Sequence, residues 1–408
     1  MSTDLREHNQ LAPDNVPVDR VVDFDMFNPP HIDKGMQEAW TSLQSHGEHG
    51  LVWTAHNGGH WIATKGHLVK EIFENNKTFS SECPFLPKEA GEQYSFIPVS
   101  MDPPEHQPYR KIINDAVGPG TIRRIEPEIR QVAKDLIATI RERGSCDFTK
   151  DYAEIFPIEI FLKLLNLPST DAARLKYIGD QMTRPDGSMT MAEAHDHFFD
   201  FLAPFIDERR KSPGDDPIST IVHSTVDGRP LTQDECLRLC GLLLLAGLDT
   251  VVNFLSFMMQ YLAEHPDDCR YLIENPNSIP TATEELLRRF GLVSDARIVK
   301  GTKDIDGVTL KDGDMVAIPS MLYGLDPNVT ECPLDVDFTR SKVEHLTFGH
   351  GVHRCAGSYL ARVEIQTTIR AWLESIPDFE IVPGETVRHA SGIVGTVLNL
   401  PLQWNNAS

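Results

Sequence analysis

From residue 239 to residue 263 the chain is almost wholly apolar, long enough at ~1.5 Å per residue to span a bilayer. Yet this stretch carries Asp249, Thr250, Asn253 and Gln260, and a carboxylate near the middle of a spanning helix is costly. A helix running through the core of a large protein is apolar all round for another reason, because every face meets protein. The pattern therefore predicts a long buried central helix over residues 232–264, whose polar residues need explaining. Elsewhere a 3.6-residue period predicts helices over residues 34–45, 66–74, 104–116, 126–143, 152–165, 171–181, 191–211, 278–290 and 357–375. Short apolar runs predict strands at 51–55, 61–63, 297–299, 308–310 and 315–318, with a longer extended stretch over 394–404. Asn57-Gly58-Gly59 and Lys311-Asp312-Gly313 read as turns. No repeat, low-complexity tract or linker divides the sequence. The expected fold class is mainly α with small β-sheets (α+β), a single domain over residues 1–408 with an irregular segment at 1–23.

Composition narrows the partners. Lys and Arg total 38 against 60 Asp and Glu, a net charge of −22, which disfavours nucleic acid or an anionic membrane and favours solubility. The cysteines Cys83, Cys146, Cys236, Cys240, Cys269, Cys332 and Cys355 include no C-x-x-C pair, so neither disulfides nor zinc are expected. Residues 1–30 are polar and proline-rich, with neither a secretory leader nor an anchor in their pattern. A cytoplasmic protein is expected.

One cysteine stands apart. In Phe348-Gly349-His350-Gly351-Val352-His353-Arg354-Cys355-Ala356-Gly357 the glycines Gly349 and Gly351 permit a tight turn with positive φ. A helix opens just after Cys355, so backbone N–H groups and the positive end of a helix dipole favour a thiolate there. Phe348 can cover the sulfur, and an electron-rich thiolate on haem iron promotes O–O cleavage. A lone cysteine is more often an ordinary buried residue, but the whole pattern argues against that here. It resembles the haem-binding signature of the cytochrome P-450 monooxygenases.

Other groups gain meaning beside it. Glu285-Leu286-Leu287-Arg288 places an acid and a base at i, i+3, which alone is common solvated decoration. The resemblance implies a buried structural pair holding the cysteine loop, with Arg340 as a further partner. Ala246-Gly247-Leu248-Asp249-Thr250 sets small residues beside an acid and an alcohol. Small residues would let a planar macrocycle and dioxygen approach the backbone, and the acid–alcohol pair can relay protons. The alternative for Thr250 is a back-bond to a carbonyl one turn earlier. The resemblance implies that Asp249 and Thr250 deliver protons, with Arg184 and Lys176 holding and releasing Asp249. It also implies haem b, with its propionates held by Arg110, Arg297, His353 and, in the broader family, His106.

Several runs resemble the camphor-hydroxylating bacterial members of that family. They include Cys83-Pro84-Phe85-Leu86-Pro87, Gly91-Glu92-Gln93-Tyr94-Ser95-Phe96-Ile97-Pro98, Ser100-Met101-Asp102-Pro103-Pro104-Glu105 and Gln181-Met182-Thr183-Arg184-Pro185-Asp186-Gly187-Ser188-Met189. The likeness runs from about Phe24 to Trp404. It implies that the Tyr94 hydroxyl donates to a substrate ketone while Phe85, Phe96, Leu242, Leu245, Val293 and Val394 form apolar walls. Such a pocket, apolar with one polar group, fixes orientation without supplying chemistry. Against those relatives Val99 replaces threonine, Leu245 valine, Ala246 glycine, Ser294 alanine and Arg354 leucine. The resemblance further implies electrons from NADH through a reductase and a 2Fe–2S ferredoxin docking on Arg110, Lys342 and Arg362. A monovalent cation near Tyr94, to which Glu82 could contribute, and a monomeric state are expected too. The reaction expected is hydroxylation of camphor, at the 5-exo position, or of a similar bicyclic monoterpenoid ketone by O2. Another small terpenoid or norisoprenoid ketone is the alternative within the reaction. A peroxide-driven haem enzyme or haem-thiolate isomerase tends to lack the acid–alcohol pair, and a non-catalytic haem sensor needs neither relay nor ferredoxin site.

Overall fold

The computed structural model describes residues 11–45, 49–93 and 95–405. The apolar stretch is one helix, Gln233–Glu264, 32 residues long. Its start is fixed by a capping box: Thr232 accepts from the Glu235 N–H and the Glu235 side chain returns to the Thr232 backbone. Among the described residues it is the one helix long and apolar enough to cross a bilayer, and it lies in the core. Helices Phe156–Leu164, Ala172–Thr183, Met191–Lys211 and Ser358–Ser375 pack against it, together with the turn Thr149–Ala153. Its apolarity on every side is thus the signature of burial in protein.

Beside the helices lies a five-stranded sheet in the order Leu51–Thr54, His60–Ala63, Met315–Pro319, Ser294–Val299 and Phe79–Ser80. The first two strands pair through the Asn57–Gly59 turn, with Leu51 opposite Ala63; Asn57, Gly58 and Gly59 all have positive φ. Met315–Pro319 pairs in parallel with His60–Ala63 and antiparallel with Ser294–Val299. All five residues of this central strand are buried, as expected of a strand covered on both faces. The antiparallel register carries Arg297 opposite Val316, which delivers a cation into the interior.

Helices at Gly66–Glu74 and Met191–Lys211 match the sequence pattern residue for residue, and the mainly helical architecture with small sheets is as expected. Three expectations need correction. The helix placed at 126–143 begins at Pro119 and continues through Pro127 to Arg141. Residues 152–165 are not one helix but a π-turn, Thr149–Ala153, followed by Phe156–Leu164, with a proline in the first helical turn. The extended stretch over 394–404 is two strands, Thr396–Asn399 and Pro401–Gln403, preceded by a bridge between Val394 and Val293.

Candidate active site

The cysteine loop has the geometry its glycines suggest. Gly349 and Gly351 have φ of 65° and 68°, a region that L side chains enter only with strain. At Gly351 a Cβ would also lie 2.7 Å from the Phe73 carbonyl oxygen. The Cys355 N–H donates to the Phe348 carbonyl at 2.8 Å, closing the turn, and the helix Ser358–Ser375 follows. The Arg362 guanidinium lies 4.6 Å over the Phe348 ring. Cys355 is exposed yet stands among enough protein that burial raises its thiol pKa, against the Gly357 N–H and the charges of Arg110 and Arg354. The Gly357 N–H and the two arginines favour the thiolate, but desolvation outweighs them. Coordination to a metal cation reverses that balance.

Near this loop several nitrogens have no protein partner. His106 is buried with neither ring nitrogen hydrogen-bonded, and the buried His353 Nε2 is likewise without a partner. Their rings meet edge-on at 4.4 Å. Burial, reinforced by Arg110, brings His106 down to about 4; burial and then Arg297 bring His353 to about 3. Arg297 is buried, donates to the Ala296 carbonyl at 2.6 Å and lies over the Phe73 ring. Buried donors left without an acceptor are costly. Two imidazoles and a guanidinium beside an open cysteine sulfur therefore fit a haem, whose carboxylates would supply the acceptors and whose iron would take the sulfur. Arg110 also binds protein: its Nη2 donates to the Arg354 carbonyl and its Nε to Asn114 Oδ1 at 3.0 Å. It braces the cysteine loop from the helix His106–Val117.

Glu285 and Arg288 have fully buried side chains. Arg288 makes two bonds of 2.8 Å to the carboxylate and donates to the carbonyls of Gly324, Pro333 and Asp335. All five guanidinium N–H groups are thereby used. The same carboxylate accepts from Arg340 Nε at 2.9 Å and from the Asp337 N–H at 3.0 Å, so Arg340 is the further partner expected.

On the central helix the Asp249 carboxylate is buried and held from several sides. Arg184 donates to both of its oxygens at 2.7 Å, Lys176 reaches Oδ1 at 3.4 Å, and Thr183 reaches Oδ2 at 3.1 Å. Asn253, one turn on, donates to Oδ1 at 2.7 Å. Burial alone would raise this carboxyl's pKa, but Arg184's charge and hydrogen bonds hold it far below the ordinary range. Asp180, which the sequence reading missed, accepts from both Lys176 and Arg184. Burial, with the like charge of Asp249, raises its pKa. Two cations thus lie between two carboxylates. The Thr250 hydroxyl donates to the Ala246 carbonyl at 3.2 Å, the back-bond weighed as its alternative.

The small residues next to the acid divide their roles. A Cβ on Gly247 would lie 2.2 Å from the Phe161 ring, so this glycine makes room for a neighbouring helix and not for a macrocycle. Ala246 is the small residue with an open face; with half-buried Leu242, Leu245 and Thr250 it forms one open stripe near the middle of the helix. Phe85 and Val293 are also half-buried, whereas Phe96 and Val394 are buried. Phe96 packs beside the His195 ring at 5.6 Å and above Gly241, where a Cβ would lie 3.1 Å from it. Tyr94 lies outside the described residues. Glu82 pairs with Lys300 at 2.5 Å, and no group of three or more His, Cys, Asp or Glu suited to a metal ion occurs among the described residues. Of the basic positions, Arg362 binds Glu284 through two bonds of 2.6 and 2.7 Å, and Lys342, largely exposed, pairs with Glu344 at 2.8 Å.

A family model described as cytochrome P-450 matches residues 168–279 and 280–390. Among curated sequences, the chain is similar to the probable cytochrome P-450 127A1 of Sinorhizobium fredii (strain NBRC 101917 / NGR234). Identity is 34% over 351 residues, 85% of this chain and 84% of the relative. Two solved structures superpose closely. The crystal structure of cytochrome P-450 CYP101C1 gives a TM-score of 0.90 at 41% identity, covering 97% of this chain and 100% of that one. That of CYP101J2 gives 0.89 at 39% identity, covering 97% and 99%.

Proposed function

The chain belongs to the cytochrome P-450 family and is a monooxygenase, and on that premise we propose that it hydroxylates camphor, at the 5-exo position, or a closely similar bicyclic monoterpenoid ketone. The observation that carries a monooxygenase reading of the site is the buried carboxylate of Asp249, gripped by Arg184 beside Thr250 inside an apolar helix. The likeness of the runs around Tyr94, Arg184 and Asp249 to camphor-hydroxylating relatives supports the substrate class. Cys355 would hold haem b through its thiolate, and the group would supply, when bound, the electron-rich iron chemistry that favours O–O cleavage.

The remaining roles belong to side chains. His106, His353, Arg297 and Arg110 would hold the haem carboxylates, and Arg110 also fixes the backbone next to the ligand cysteine. Phe85, Leu242, Leu245 and Val293 shape an apolar pocket, Phe96 and Val394 back it, and the Tyr94 hydroxyl donates to the ketone. Asp249 and Thr250 move protons inward; Arg184 and Lys176 set when Asp249 is free to do so. Electrons come from NADH through a reductase and a 2Fe–2S ferredoxin that meets Arg110, Lys342 and Arg362. Because Arg362 and Lys342 already pair with Glu284 and Glu344, an acidic partner must exchange with those carboxylates. Such docking is sensitive to salt. We take the chain as one haem domain, cytoplasmic and monomeric.

A spectral titration with a panel of terpenoid ketones, followed by product analysis with NADH and a ferredoxin pair, tests this reading. Saturable binding of camphor-like ketones with substrate-dependent NADH use is expected. Absence of substrate-dependent NADH use with every donor pair would point to a haem sensor instead. Thr250→Ala is expected to bind substrate normally but divert reducing equivalents to peroxide, since the relay loses its alcohol; unchanged coupling of NADH to product would remove Thr250 from the mechanism. Tyr94→Phe removes the proposed polar anchor and should weaken ketone binding by roughly 0.5–1.5 kcal/mol while loosening regioselectivity. Identical affinity and products would show that shape alone positions the substrate.

A further inference from the structure

Asp249 has one more set of neighbours, which no motif announces. Residues 392–396 cross from the apolar wall to the carboxylate. On the wall side Val394 bridges to Val293, the Ser294 N–H donates to the Ile393 carbonyl and the Gly395 N–H to the Leu292 carbonyl, both at 2.9 Å. On the other side the Val394 carbonyl accepts from Arg184 Nη1 at 3.0 Å, the same nitrogen that donates to Asp249 Oδ2. The Thr396 hydroxyl donates to Asn253 Oδ1, and the Asn253 amide nitrogen donates to Asp249 Oδ1. Thr396, Asn253 and Asp249 are all buried. At Gly392 a Cβ would lie 2.9 Å from the Thr183 carbonyl and 3.1 Å from Arg184 Cγ, so this stretch lies directly on the residues that hold the acid.

The chemistry of the amide gives Thr396 a definite task. Asn253 can present either its carbonyl or its NH2 end to a neighbour. The threonine hydroxyl engages the carbonyl end, which leaves the NH2 end for the carboxylate. Rotated the other way, the amide would set an oxygen against Asp249 in a dry site, where an unpaired acceptor is most costly. Arg184 is seated similarly, between the Val394 carbonyl, Asp249 and Asp180, and Asp180 offers it a second acceptor at 2.5 Å.

We propose that Thr396 is a positioning residue for proton delivery, and that residues 392–396 transmit occupancy of the Val293–Val394 wall to the Arg184–Asp249 pair. A ketone pressed against Val394 displaces its backbone, the carbonyl withdraws from Arg184, and the guanidinium moves toward Asp180, which loosens the grip on Asp249 and leaves it to Lys176, Thr183 and Asn253. This rests on the reading of Asp249 as the proton-delivering acid and of Val394 as wall.

The test uses haem-loaded Thr396→Val, Thr396→Ser and Asp249→Asn beside the unaltered enzyme, with camphor as ligand. Thr396→Val is expected to keep camphor affinity and the reduced carbon monoxide spectrum, to slow product formation about tenfold and to raise the peroxide share. Thr396→Ser should restore both. Independently of turnover, camphor should change amide hydrogen exchange at residues 180–186 as well as at 392–396. Wild-type behaviour of Thr396→Val alongside an impaired Asp249→Asn would overturn the role of Thr396, and unchanged exchange at 180–186 would overturn the transmission. Wild-type turnover by Asp249→Asn would instead remove the underlying reading of the acid, and this inference with it. Should the valine variant fail to take up haem, Asn253→Leu breaks the same link from its other end and carries the same expectation.

Discussion

Arg288→Ala is expected to lose about 3–5 kcal/mol of stability and, with it, most of its capacity to retain haem. The magnitude follows from what is left behind. Glu285 has no exposed surface, and without Arg288 its carboxylate keeps only Arg340 and one backbone N–H. Three carbonyls, of Gly324, Pro333 and Asp335, lose their donor together. They anchor the chain leading toward the cysteine turn, so the damage reaches Cys355 without any contact to it. Against a total stability of ~5–15 kcal/mol, such a loss is a large fraction. Arg288→Lys should fare little better, since one ammonium cannot reproduce a bidentate carboxylate contact and three further bonds. Denaturant unfolding together with haem retention measures both effects; a loss below about 1 kcal/mol, the range of an exposed pair, would contradict the burial argument.

Much of this arrangement is legible in the residues, and the boundary is physical. Local signals carry well: Thr190 and Glu193 cap the helix Met191–Lys211, and paired glycines announce the cysteine turn. Some short elements do not carry. The helices Lys88–Gln93, Pro217–Val222 and Pro266–Glu274 lie outside the predicted set. The latter two open on a proline next to Asp216 or His265, a start signal read too weakly because little periodicity follows. The strand Phe79–Ser80 is fixed by pairing with Val299 and Ile298, which no pattern over two residues can reveal. The same division runs through the site. Glu285 and Arg288 sit at i, i+3, and Asn253 at i+4 from Asp249 was within reach of the same reasoning. Asp180 also lies at i+4 from Lys176 and at i−4 from Arg184, but on a helix where such pairs are ordinarily decoration. Thr396 comes from a strand more than a hundred residues away, and only the fold brings it to Asn253. Gly247 misled because a glycine reports that something approaches, and the approaching group is Phe161.

Asp249→Asn is expected to leave ketone binding intact while slowing product formation by a factor on the order of 10². The grip on Asp249 explains why the acid itself matters. With Arg184 on both oxygens the carboxyl is held far below its ordinary pKa, and an acid so depressed carries no proton at neutral pH. On the proposed mechanism it becomes competent when Arg184 turns to Asp180, after which burial raises the pKa against only the weaker hold of Lys176, Thr183 and Asn253. An asparagine cannot make that exchange in either position, because it neither releases nor takes up a proton. Arg184→Ala separates grip from acid: it keeps the carboxylate but removes its restraint, so product formation should fall less than in Asp249→Asn. The sign of the accompanying pH effect is fixed as well. A depressed folded-state pKa contributes stability that is complete above the unfolded-state value and is lost as pH falls through the folded-state value. Arg184→Ala, whose Asp249 pKa rises, should therefore unfold at a higher pH during acidification than the unaltered chain. Equal acid midpoints would show that the Arg184 contact stabilises nothing; equal turnover in Asp249→Asn and the unaltered enzyme would move proton delivery to another group.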